Sequence, residues 1–74
     1  MLKIKDNVDL KELEKFGFTQ SNYMLDGAYF KYRNTSGYEM LVFKNRQIYV
    51  NNSLGGEETL FDLIQARLVE KVGD

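Results

Sequence analysis

The chain contains neither cysteine nor histidine, and this absence constrains its fold more than any other feature. A disulfide framework and a zinc site of the usual Cys/His kind are both excluded. With 74 residues we expect a single domain over residues 1–74. Domains of this size are only marginally stable without a disulfide or a structural metal. Stability must therefore come from a well-patterned hydrophobic core or from oligomerisation.

An N-terminal helix is predicted by its capping residues. Asp9 precedes an apolar periodic segment as an N-cap, and Glu12 follows three residues later, which is the spacing of a capping box. Gly17 suits the left-handed position at which a helix ends. Before this helix, the alternating segment LKIK at residues 2–5 allows one extra short N-terminal strand.

A second helix is predicted after Gly56. Glu57 and Glu58 suit the positive end of the helix dipole, and an apolar stripe follows them. We expect helix at least as far as Ala66. The tail LVEKV at residues 68–72 also alternates, so it fits either the end of this helix or a short final strand.

Residues 28–51 predict three antiparallel strands joined by tight turns. Two-residue loops at residues 36–37 and 45–46 would pair Phe30 with Phe43 and Leu41 with Val50. One face would then carry Phe30, Tyr32, Leu41, Phe43, Ile48 and Val50, and we expect the helices to cover it. The second position of a two-residue turn needs a positive φ, which Arg46 disfavours, so a longer, bulged turn is an alternative. The expected fold is α+β, a three-stranded antiparallel β-meander with two helices packed on one face.

The opposite face of this sheet mixes aromatic, apolar and basic side chains. Its candidate partner-binding residues are Tyr29, Lys31, Arg33, Tyr38, Met40, Val42 and Tyr49. Tyr, Met and Arg are enriched at contact surfaces, and an exposed apolar patch on a small protein usually marks an interaction site. The competing interpretation is that a helix, or the chain's own loop at residues 19–28, covers Met40 and Val42 and that no function follows.

Charge is unevenly distributed along the chain. Residues 28–51 hold four basic side chains, Lys31, Arg33, Lys44 and Arg46, against the single acidic side chain of Glu39. Single-stranded nucleic acid could therefore stack on the tyrosines of this face, with its phosphates on the basic residues. The net charge of −1 for the whole chain argues against this alternative, because a net positive field dominates binding to phosphate.

Enzymatic activity is not expected. The chain lacks His, the commonest general acid/base, and Cys, the best nucleophile. The segment SLGGEET at residues 53–59 looks like a phosphate loop, but Glu57 and Glu58 place negative charge where the phosphate would lie. We expect no metal and no cofactor.

Two segments resemble a group of known proteins. LKIKDNVDLKELEKFGF at residues 2–18 and TLFDLIQARLVEKV at residues 59–72 are similar to the two ends of small uncharacterised proteins encoded by phages and prophages of Gram-positive bacteria. In those proteins the position of Arg67 is commonly Gly, which implies a helix that ends there and an extended LVEKV. The resemblance covers less than half of the chain and implies a mobile-element accessory protein in a bacterial cytoplasm, with no functional residue carried over.

The function expected from these features is that of a non-enzymatic binding module, acting by protein–protein contact through the open sheet face. The partner would be a host protein, which the module could inhibit, or a second copy in a homodimer. No membrane role is expected, because the longest aliphatic or aromatic run, MLVF, is far too short to span a bilayer. The N terminus shows no apolar secretion signal, so we expect a cytoplasmic protein.

Overall fold

Across residues 1–20, 27–33 and 37–73, which the computed structural model describes, the fold is α+β with six short strands in two antiparallel sheets. The strands are β1 (Leu2–Ile4), β2 (Thr19–Gln20), β3 (Tyr29–Tyr32), β4 (Tyr38–Val42), β5 (Ile48–Val50) and β6 (Val69–Lys71). The helical elements are a 3₁₀ helix (Leu10–Phe16), a 3₁₀ turn (Asn52–Leu54) and the α-helix α1 (Gly56–Gln65). The larger sheet has the order β2-β3-β4-β5, and the smaller one pairs β1 with β6.

The larger sheet is a meander with one strand more than the three predicted. Its additional strand, β2, contributes the pairs of Thr19 with Phe30 and of Gln20 with Tyr29. Both β2 side chains are polar and exposed, so no apolar alternation marked this strand in the sequence. The loop predicted at residues 19–28 thus begins with a strand, and its residues 21–26 lie outside the described part of the chain.

The first helix is a 3₁₀ helix capped at the predicted residues. Asp9 is the N-cap, and its Oδ1 accepts a hydrogen bond of 3.0 Å from the backbone N–H of Lys11. The predicted capping box is wrong, since the carboxylate of Glu12 lies 2.7 Å from Nζ of Lys15 instead. Gly17 ends the helix at φ 92°, as predicted.

The tail of the chain is a strand. Helix α1 ends at Gln65, one residue before the predicted minimum, and Ala66 serves as its C-cap. Arg67, at φ 64°, adopts the left-handed conformation that turns the chain towards β6. β6 then pairs with the N-terminal strand, Ile4 lying opposite Val69. This partner is distant in sequence, so the local pattern of the tail could not reveal it.

The turn between β4 and β5 decides the register of the sheet. The N–H of Phe43 donates to the carbonyl of Gln47 at 2.9 Å, which leaves three residues, 44–46, in the loop. Arg46 takes φ 78° at the end of this loop, so the longer turn is confirmed. The predicted pairing across this turn is wrong by one residue, because Leu41 lies opposite Tyr49 and not opposite Val50.

The register between β3 and β4 differs from the prediction by two residues. Phe30 lies opposite Leu41, whereas the prediction placed it opposite Phe43. A shift of two residues keeps Phe30 and Leu41 on their shared, predicted face, but Tyr38 lies opposite Tyr32 and so moves to the face of Phe30. The cause is a wider connection, with the N–H of Arg33 donating to the carbonyl of Gly37 at 2.8 Å, followed by an irregular pairing between Lys31 and Tyr32.

The core lies on the face that carries Met40 and Val42. The main cluster of buried side chains consists of Ile4, Leu13, Phe18, Tyr29, Met40, Val42 and Leu63, and Ile48 and Val50 pack against it. The 3₁₀ helix and α1 both contribute to this cluster, so the helices pack on one face as predicted. The assignment of the helices to the face of Phe30 and Leu41 is wrong. With the register shifted by one residue, the aliphatic side chains of β5 join Met40 and Val42, and this is the face that the helices bury.

Candidate functional site

Three of the predicted partner-binding residues belong to the core. Met40 and Val42 are both 0% exposed, and Tyr29 is buried beside them. Burial raises the pKa of the Tyr29 phenol, and the charges of Glu14 and Asp9 add to the effect. These side chains are out of reach of a partner in the folded domain, so their predicted exposure is wrong.

Tyr38 and Tyr49 lie on the opposite side of the sheet, together with residues that the sequence had assigned to the core. We call this surface the aromatic face, and it consists of Phe30, Tyr32, Tyr38, Leu41, Phe43 and Tyr49. Phe30 and Leu41 are buried at its centre, and Tyr38 and Phe43 pack against them. Tyr32 and Tyr49 are 56% and 49% exposed, so a partner can reach this face at both of its ends.

Four rings of the aromatic face form a continuous row. The centroid of Phe30 lies 5.8 Å from that of Tyr32 in a stacked pair and 6.1 Å from that of Tyr38 in an edge contact. Tyr38 in turn meets Tyr49 at 6.2 Å, again edge to face. These separations are those of favourable aromatic pairs. The row therefore holds the two exposed rings in defined positions relative to a buried centre.

Lys31 and Arg33, two further predicted site residues, converge on a buried carboxylate. Glu39 is buried in β4, and its Oε1 accepts a hydrogen bond from the hydroxyl of Thr59 in α1. Nζ of Lys31 lies 3.6 Å from this carboxylate, and Nη1 of Arg33 lies 3.9 Å from it. A buried charge is costly unless it is paired, so both cations help to balance Glu39 on the helix side of the sheet. The sequence pattern had grouped them with Tyr38 and Tyr49, and this grouping is wrong.

Arg46 is also engaged within the fold. Its Nη1 donates to the carbonyls of Lys5 and Val8, at 2.8 and 2.7 Å, and this links the β4–β5 turn to the segment before the 3₁₀ helix. Three of the four cations of residues 28–51 thus have partners inside the domain. Lys44, in the exposed turn, has no ion pair among the described residues.

Tyr32 and Phe43 are the accessible residues of the aromatic face that the sequence pattern had assigned to the core. Their alternation with Tyr29 and Lys31 correctly showed which side chains share a face, but alternation does not say which face the helices cover. The available signal was Arg46, whose poor fit to a two-residue turn pointed to the longer loop.

The described ranges contain no helix long and apolar enough to cross a membrane. Within the same ranges, no three or more acidic, His or Cys side chains are grouped so as to hold a metal ion.

Comparison with known proteins identifies no relative, since no family model, no curated protein and no solved structure matches this chain.

Proposed function

We propose that this chain is a non-enzymatic binding module that contacts another protein through its aromatic face. The observation that carries the proposal is the row of rings whose ends, Tyr32 and Tyr49, are exposed while its centre at Phe30 is buried. Tyrosine is a frequent energetic anchor of interfaces, because it supplies a large rigid ring at little cost in side-chain entropy. Rings already held by their neighbours lose less entropy when a partner binds.

A protein partner is favoured over single-stranded nucleic acid by the positions of the cations. Stacking of bases on tyrosines needs basic side chains nearby to hold the phosphates. Lys31 and Arg33 instead lie against Glu39, and Arg46 binds backbone carbonyls. The net charge of −1 further weakens attraction to phosphate. Nucleic acid is therefore the second candidate, supported by the tyrosine row alone.

The resemblance of the two end segments to phage and prophage proteins supports a more specific form of the proposal. In that form the module is an accessory protein of a mobile element, acts in the bacterial cytoplasm, and inhibits a host protein by occupying its surface. A homodimer through the aromatic face is the closest variant, because the same exposed rings could pack on a second copy.

The test is capture of partners from a lysate of the host bacterium, with and without nuclease, by three tagged forms of the chain. The wild-type chain should retain a nuclease-resistant protein, and Tyr32→Ser with Tyr49→Ser should lose it. Lys11→Ser is the control and should retain the protein, because Lys11 is exposed on the 3₁₀ helix, which packs on the other side of the sheet. Retention by the tyrosine variant, or capture of nucleic acid only, would contradict the proposal. Light scattering of the purified chain distinguishes the homodimer.

A further inference from the structure

Helix α1 exposes a second apolar surface, separate from the aromatic face. Phe61 is 59% exposed and Ile64 is 48% exposed, and residues three apart are neighbours on one side of a helix. The core uses the other side of α1, where Thr59 and Leu63 are buried. The apolar area of Phe61 and Ile64 therefore contributes little to the fold and is open to a partner.

Three carboxylates lie with these two side chains on the exposed side of α1. Glu57, Glu58 and Asp62 are all exposed on α1, and the helix contains no basic residue. Glu57 and Glu58 lie four and three residues before Phe61, which places both within one turn of its ring. No ion pair among the described residues involves any of the three. The outer side of α1 thus combines an apolar centre with a negative rim.

We propose that α1 docks a basic amphipathic helix of another protein. Apolar side chains of that helix would cover Phe61 and Ile64, and its Lys or Arg side chains would face Glu57, Glu58 and Asp62. This is a mode of recognition in which one amphipathic helix packs its apolar face onto another surface and complementary charges fix its orientation. The surface differs from that of the proposed function and does not depend on it.

The negative rim selects this occupant over the alternatives. Helix α1 contains no basic residue, so docking of α1 from a second copy would supply no cation to these carboxylates. Phosphates of nucleic acid or of anionic lipid would be repelled by them. A basic partner is the one for which both the apolar centre and the rim are favourable.

The probe is a fluorescent synthetic helix of Leu and Lys with its leucines on one face, and a matched helix in which Glu replaces Lys is the control. Fluorescence anisotropy should show binding of the Leu/Lys helix only, with affinity that falls as salt is raised. Amide shifts in NMR spectra should change along residues 56–65. Phe61→Ser with Ile64→Ser should weaken binding about tenfold or more, because two buried apolar contacts are lost.

A second variant removes the three negative charges and tests whether they are needed for binding while the fold is kept. Glu57→Gln, Glu58→Gln and Asp62→Asn keep the size of each side chain, so the circular dichroism spectrum should be unchanged while binding weakens and becomes less sensitive to salt. Tyr32→Ser with Tyr49→Ser should bind the Leu/Lys helix like the wild-type chain. Failure of that helix to bind, equal binding of the Leu/Glu helix, or shifts confined to the aromatic face would overturn the proposal.

Discussion

Leu41 lies directly opposite Tyr49 across β4 and β5, and this pair places Tyr49 on the side of the sheet away from the helices. The flanking pairs, Met40 with Val50 and Val42 with Ile48, face the core. One register therefore determines both what the helices bury and what a partner can reach.

The first prediction compares the two sides of this register. Met40→Ala should reduce the free energy of unfolding by about 2–5 kcal/mol, because the side chain is fully buried and its loss leaves a cavity. Tyr49→Ala should reduce it by about 1 kcal/mol or less, since half of its surface is already in water. Urea denaturation measures both. Equal losses would mean that the two faces are equally core.

The second prediction concerns Arg46, which combines a strained backbone with two hydrogen bonds. Arg46→Ala loses the bonds to the carbonyls of Lys5 and Val8 and keeps φ at 78°, so it should be clearly destabilising. Arg46→Gly loses the same bonds but removes the steric cost of the left-handed conformation, about 1 kcal/mol. The order of stability should be wild type, then Gly, then Ala, measured by thermal unfolding. A Gly variant less stable than the Ala variant would show that the turn has a different backbone.

The third prediction uses the other residue with positive φ. Arg67, at φ 64°, has an exposed side chain, so Arg67→Gly should raise the free energy of unfolding by about 1 kcal/mol. Arg67→Ala is the control and should change little, because it keeps both the exposure and the strain. Loss of stability in the Gly variant would indicate that the helix continues through this position.

The fourth prediction is a pH dependence at Tyr29. Its pKa lies above the ordinary value of about 10, because burial disfavours the phenolate in the folded chain. In the unfolded chain the phenol loses its proton first, so this contribution to stability is complete below a pH of about 10 and is lost as the pH rises towards the folded pKa. Tyr29→Phe should therefore lose stability less steeply than wild type above a pH of about 10. A Tyr29→Phe curve parallel to the wild-type curve would refute the assignment.

Local signals in the sequence predicted both ends of the first helix. Asp9 and Gly17 cap the 3₁₀ helix because a side-chain acceptor and a left-handed residue act on adjacent backbone groups. The face shared by Phe30 and Leu41 was also predicted, since period-two alternation is a local property.

The errors of the sequence prediction come from one turn residue and from contacts between distant residues. The choice of face followed from one residue in the turn at Arg46, because a shift of one position moves every side chain of β5 to the other side. Pairing of β6 with β1 joins the two ends of the chain. Lys31 and Arg33 were predicted to contact a partner. Only the structure shows that both lie against Glu39, which also accepts a hydrogen bond from Thr59.

The most direct test of the proposed contact surface is site-specific photo-crosslinking in cells that produce the chain. A photoreactive phenylalanine analogue would replace Tyr49 in one form of the chain and Lys11 in another, since Lys11 is exposed on the 3₁₀ helix, on the opposite side of the sheet. The account predicts a nuclease-resistant protein adduct from position 49 and none from position 11. An adduct of equal yield from position 11, or an adduct from position 49 that nuclease removes, would contradict it.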